Sequence, residues 1–108
     1  MVSINAESME ALAVIFDCEI TSSPYGLTPD AVGWKLTLPS GMSLSVQRSE
    51  QHYCSHGSDY SAEIAALDLE GHFVWYEEQI RGYQTFTDIA LVLKELDRKF
   101  LMQLGMGA

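Results

Sequence analysis

Basic residues are what this sequence has least of. It holds 6 lysines and arginines against 15 acids, a formal net charge of −9 in 108 residues. Proteins grip phosphates mainly with Lys and Arg, so direct nucleic-acid binding is not expected. Cysteine is scarce as well: Cys18 and Cys54 are too few for a disulfide framework, which excludes the small stapled secreted folds. The longest apolar run, Ala11 to Phe16, is far short of the roughly 20 residues a membrane helix needs. No basic stretch leads into an apolar one near the start, so no secretory leader is expected, and the expected compartment is a reducing cytoplasm. There is no internal repeat and no low-complexity tract. Glycine-rich phosphate loops, dinucleotide fingerprints and nucleophile elbows are all missing. An enzyme is therefore not expected, nor is any cofactor.

What is present suffices for a core. Some 47% of the residues are hydrophobic, which argues against disorder. A chain of this length suits a single domain, 1–108, that buries about two thirds of its unfolded surface. The organising stretch is Thr85 to Met102. Phe86, Ile89, Leu93, Leu96 and Phe100 recur at three- and four-residue steps and form one helical stripe. Thr85 fits as N-cap with Asp88 as its capping-box partner. Glu95 and Lys99 stand four apart in the favourable order. Residues 5–20 read as a first helix through Met9, Leu12, Ala13 and Phe16, capped by Asn5 or Ser8. Branched Val14, Ile15 and Ile20 offer a rival strand over 11–20.

The middle reads as a sheet. Trp34, Leu36 and Leu38 alternate with Lys35 and Thr37, and Met42, Leu44 and Val46 alternate with Ser43, Ser45 and Gln47. Pro39-Ser40-Gly41 turns between them. Tyr60, Ala62, Ile64 and Ala66 make a third strand. After the turn at Asp68-Leu69-Glu70-Gly71, Phe73 and Trp75 lead a fourth. The expected fold is α+β: a four-stranded antiparallel meander, a C-terminal helix across one face and an N-terminal helix.

The connection Arg48 to Asp59 is long for a hairpin, and long loops often carry function. His52, Cys54 and His56 would share one side of an extended backbone, with Asp59 or Cys18 as a fourth zinc donor. Cys18 apart, these donors come from one short segment, so no metal is expected. Cys54 beside a histidine also suggests a thiol nucleophile, with no motif around it. Glu77 and Glu78, adjacent on a strand, would point to opposite faces and so do not form an acid–base pair. The charge pattern is more telling. Residues 1–33 and 50–80 contain acids and no Lys or Arg. Such one-signed segments favour a protein partner with a basic surface. The candidate contacts are Glu50, Asp59, Glu63 and Tyr53; Tyr76 is a further exposed aromatic. Leu91 and Met102 lie off the main helical stripe, either against the first helix or on a self-association patch. Monomer and homodimer both remain open.

Within residues 34–96 lie the serine-glycine hairpin LTLPSGMSLSV, the strand YSAEIAALD, the turn DLEG and the final segment GYQTFTDIALVLKEL. In this pattern the chain resembles small acidic accessory proteins of phages and mobile elements, among them anti-CRISPR inhibitors. The resemblance implies a non-enzymatic binder that blocks a host protein, at times over a nucleic-acid site, in the host cytoplasm. The chain is also similar to acidic secretion chaperones, which implies a dimeric binding protein. A small metal- or thiol-dependent enzyme built on loop 48–59 is the remaining alternative.

Overall fold

The computed structural model describes residues 1–26, 28–75 and 79–103, with 99–103 described for the backbone alone. The order is α1 (Ala6–Phe16), β1 (Glu19–Ser22), β2 (Val32–Thr37), β3 (Ser43–Arg48), β4 (Ala62–Leu67), β5 (Arg81–Gln84) and α2 (Phe86–Gln103). All five strands are antiparallel and lie in chain order across one sheet. The α+β class, the meander and the two terminal helices match expectation; the strand count is corrected from four to five.

α1 begins with a capping box. Asn5 Oδ1 accepts the Ser8 amide at 2.9 Å and Ser8 Oγ accepts the Asn5 amide at 3.0 Å, satisfying two donors that a helix start leaves unpaired. The helix ends at Phe16, where Asp17 takes a left-handed conformation (φ 55°) and the Cys18 amide donates back to the Ala13 carbonyl at 2.7 Å. The expected helix over 5–20 is thus too long. Its last residues are β1, the part of the segment for which the strand reading was right.

Two hairpins share one geometry. Leu38 pairs with Met42 around a loop that ends in Gly41 (φ 94°), and Asp68 pairs with His72 around one that ends in Gly71 (φ 84°). Each is a three-residue loop whose last position needs the left-handed region that glycine enters without strain. The second hairpin barely continues. Leu67 and Phe73 make an isolated bridge and Val74 donates to the Ala66 carbonyl, after which β5 takes up the pairing with β4. The expected fourth strand at Phe73 and Trp75 is therefore replaced by Arg81–Gln84. Glu77, Glu78 and Tyr76 lie outside the described residues.

One face of the sheet carries Trp34, Leu36, Leu44, Val46, Ala62, Ile64 and Ala66, all buried. Met9 and Leu12 of α1 and Ile89, Val92, Leu93 and Leu96 of α2 close over it. α2 begins as expected: Thr85 Oγ1 accepts the Asp88 amide while Asp88 Oδ2 accepts the Thr85 amide at 2.9 Å. The side chains of Lys99, Phe100 and Met102 lie outside the described residues. Leu91 is exposed. Among the described residues, no helix is long and apolar enough to cross a membrane.

The opposite face is rich in hydroxyls and is partly roofed. Gln47, only 5% exposed, accepts the Tyr25 amide at 2.8 Å and donates to the Ser23 carbonyl at 2.9 Å, drawing the segment after β1 over the sheet. Gly33, its cross-strand partner, leaves the room: a Cβ there would lie 2.2 Å from Gln47 Oε1. Gly33→Ala should therefore displace Gln47 from buried partners and destabilise by roughly 1–3 kcal/mol. Urea denaturation and exchange of the Tyr25 amide would measure this. An unchanged exchange rate would mean that Gln47 does not hold the segment.

Candidate functional site

Arg48 is the last residue of β3, and its guanidinium turns into the loop that follows. Nη2 donates to the Ser58 carbonyl at 2.6 Å and to the Ser55 carbonyl at 3.2 Å, while Nη1 donates to the Ser61 carbonyl. A planar fork with several N–H groups suits this convergence of backbone oxygens. Ser55 and Ser61 close the loop's base. The Ser55 amide donates to Ser61 Oγ at 2.7 Å and the Ser61 amide to Ser55 Oγ at 3.2 Å.

The same loop is tied outward to four other parts of the chain. The Ile4 amide donates to the Asp59 carbonyl at 2.6 Å, and the Tyr83 amide of β5 to the Tyr53 carbonyl at 2.8 Å. The Tyr53 amide donates to Glu63 Oε2 on β4 at 2.8 Å, and the Glu50 amide to Asp30 Oδ2 at 3.1 Å. Residues 49–61 are thus a fastened platform, and local opening would break several hydrogen bonds together.

The candidate ligand set His52, Cys54 and His56 does not converge. The backbone of 51–60 bends repeatedly, so the alternation of an extended strand is lost and His52, Cys54 and His56 go separate ways. Cys54 is buried, with Sγ donating to the Ser49 carbonyl at 3.4 Å. His52 Nδ1 shares a 2.6 Å hydrogen bond with Ser49 Oγ, and His56 is exposed with Nε2 at 3.3 Å from the His52 carbonyl. Among the described residues, no three His, Cys, Asp or Glu side chains converge where they could hold a metal ion. Cys18 lies away from this loop, after α1. Its thiol pKa is pushed up to about 11 by burial and then by the charges of Asp17 and Asp97, so it stays a thiol at neutral pH.

The expected partner contacts fall as follows. Glu50 and Tyr53 are exposed, Tyr53 at 59%, while Asp59 and Glu63 are half-buried. Glu50, Tyr53 and Asp59 lie on the loop and Glu63 on β4, where its carboxylate accepts the Tyr53 amide. Asp30, from the other base-free segment, joins Glu50, and the fold rather than the sequence brings these two together. An open cleft of about 360 Å³ lies between them, lined also by Val32, Arg48, Ser55 and His56.

The base-free segment 50–80 does not form one patch. Asp68 and Glu70 lie at the far end of β4 from Glu63, in the turn before His72. The Asp68 carboxyl is held below the usual carboxylate range by accepting the His72 amide, aided by that of Glu70. Arg48 also contributes a positive charge inside the loop, a partial offset that counting residues 50–80 alone leaves out. No family model matches the chain, and no curated protein or solved structure is significantly similar to it.

Proposed function

We propose that the chain is a non-enzymatic acidic binding module whose β3–β4 loop docks on a basic surface of another protein. The observation that supports this best is the fastened platform: the exposed acids Glu50 and Asp30 line an open cleft, and exposed Tyr53 stands three residues further along the same loop. Arg48 in the cleft wall donates to three neutral carbonyls, so its hydrogen bonds are committed while its positive charge offsets part of the acids' field. A surface already ordered by hydrogen bonds loses little conformational freedom on binding. The inhibitor role follows from the resemblance to phage accessory proteins. In that role the acids take the place of phosphates on a nucleic-acid site of a host defence protein, such as a CRISPR-Cas component.

The test begins with a pull-down from host lysate, followed by surface plasmon resonance on the captured protein. Association should slow several-fold as salt rises, because exposed charges are screened beyond about 8 Å at physiological ionic strength. Glu50→Lys should slow association more than it speeds dissociation, and Tyr53→Ala should do the reverse. Glu63→Lys is a poor probe, since it would untie the Tyr53 amide. Association that ignores both salt and Glu50→Lys would remove the electrostatic basis of this reading.

A further inference from the structure

The two edges of the sheet are finished differently. At β5 the register with β4 shifts, Tyr83 takes a left-handed conformation (φ 54°), and its amide is bonded by the Tyr53 carbonyl. Such irregularities blunt an edge against further pairing. β1 has none of them. Its residues Glu19-Ile20-Thr21-Ser22 pair in unbroken register with β2, contain no proline or lysine, and are largely exposed.

The pairing pattern says which groups of β1 face outward. The Ser23 amide donates to the Gly33 carbonyl, so residues 19, 21 and 23 bond inward to β2. By the alternation of an antiparallel ladder, Ile20 and Ser22 then turn both N–H and C=O to the open edge. Among the described residues nothing pairs with them.

We infer that β1 is a self-association edge that pairs antiparallel with β1 of a second copy, about a two-fold axis at Thr21. In this register Ile20 exchanges two hydrogen bonds with Ser22 of the second copy, and Ser22 does the same with Ile20. Thr21 meets Thr21, a favourable cross-strand pair, and Glu19 meets Ser23, so no like charges stand opposite. Shifting the register by two residues in one direction would place Pro24, which has no N–H, opposite Ile20. Four bonds from a short strand are too small an interface by themselves. The axis is perpendicular to the sheet, so both copies of α1 stay on the same face. α1 lies over β1 and β2. With strands about 4.8 Å apart, the two α1 axes fall about 10 Å from each other, within helix-packing distance. On α1, at 100° per residue, Ala11 and Val14 point away from the sheet, while Ile15, at 69% exposure, lies about a quarter turn from the buried Met9, Leu12 and Ala13, on a flank where a side-by-side helix packs. Each copy carries a net charge of −9, so this association must work against repulsion and should strengthen with salt, the opposite of binding to a basic partner.

Sedimentation velocity up to about 100 µM protein, at low and high salt, tests this, since micromolar association is populated in that range. The expected species has twice the 12.0 kDa chain mass and is favoured by salt. Ser22→Pro removes an outward N–H and no ladder bond to β2, and Ile15→Glu charges that flank of α1. Each should weaken dimerisation roughly tenfold or more, with unchanged circular dichroism. In the dimer the Ile20 and Ser22 amides should be protected from hydrogen exchange. A monomer at every concentration and salt, or a dimer indifferent to both variants with those amides unprotected, would overturn the inference. A monomer that protects the two amides only when an extended peptide is added would also overturn it, by naming a different occupant. Loss of partner capture in Glu50→Lys leaves these readouts untouched, so the two proposals fail separately.

Discussion

Leu93→Ala should lower the stability of the fold by about 2–5 kcal/mol, the range for deleting a buried leucine side chain into a site that collapses only in part. Leu93 has no exposed surface and sits mid-helix between Ile89 and Leu96, which are also buried. The loss combines apolar surface no longer removed from water with a cavity that neighbours on the sheet cannot fill without leaving their rotamers. Leu91 lies two residues away on the same helix and is 59% exposed, so Leu91→Ala should move the urea midpoint little. Equal effects of the two substitutions, or no effect of the first, would show that α2 does not dock through this stripe.

Arg48→Met should be the most damaging change outside the core, at about 2–4 kcal/mol, since hydrogen bonds from a charged donor are worth more than neutral ones and its acceptors are only partly open to water. Methionine keeps much of the side-chain length and removes the fork. Three carbonyls converging from residues 55, 58 and 61 would lose their common donor. The damage should be local first: amides of 49–61 should exchange faster than those of β2 and β3. Arg48→Lys should rescue only in part, because an ammonium cannot span the same set of oxygens in one plane. Full rescue by lysine would mean that charge alone holds the loop. An unshifted urea midpoint in Arg48→Met would mean that the serine pairs hold it without the arginine.

How much of this could be read beforehand depended on how strongly each element repeats. α2 was legible because its stripe recurs over several turns and its cap uses a known pair, Thr85 and Asp88. The β2–β3 hairpin was legible because both strands alternate cleanly around Pro39-Ser40-Gly41. β1 was not, because Ile20 is its single apolar residue. The helix before it also ends on a left-handed Asp17 rather than a glycine, so no stop signal separates the two. β5 was missed for a related reason: Arg81-Gly82-Tyr83-Gln84 contains a register shift and a left-handed residue, which erase the period of two. For the loop, length and acidity marked residues 48–59 as unlike an ordinary hairpin turn. The role of Arg48 was hidden, since an arginine that grips backbone oxygens leaves no residue pattern among its partners. The closeness of Asp30 and Glu50 is likewise a product of tertiary folding.

That mode of grip bears on how such a protein can change over time. Every residue offers a carbonyl, so the arginine clamp at 55, 58 and 61 makes no demand on which side chains stand at those positions, apart from the paired hydroxyls of Ser55 and Ser61. His56 and Ser58 can drift while the path of the backbone persists, whereas Gly57 (φ 90°) is held to glycine by its left-handed conformation. A lineage under pressure from a changing target could therefore rewrite the chemistry displayed on this end of the sheet and inherit its shape intact.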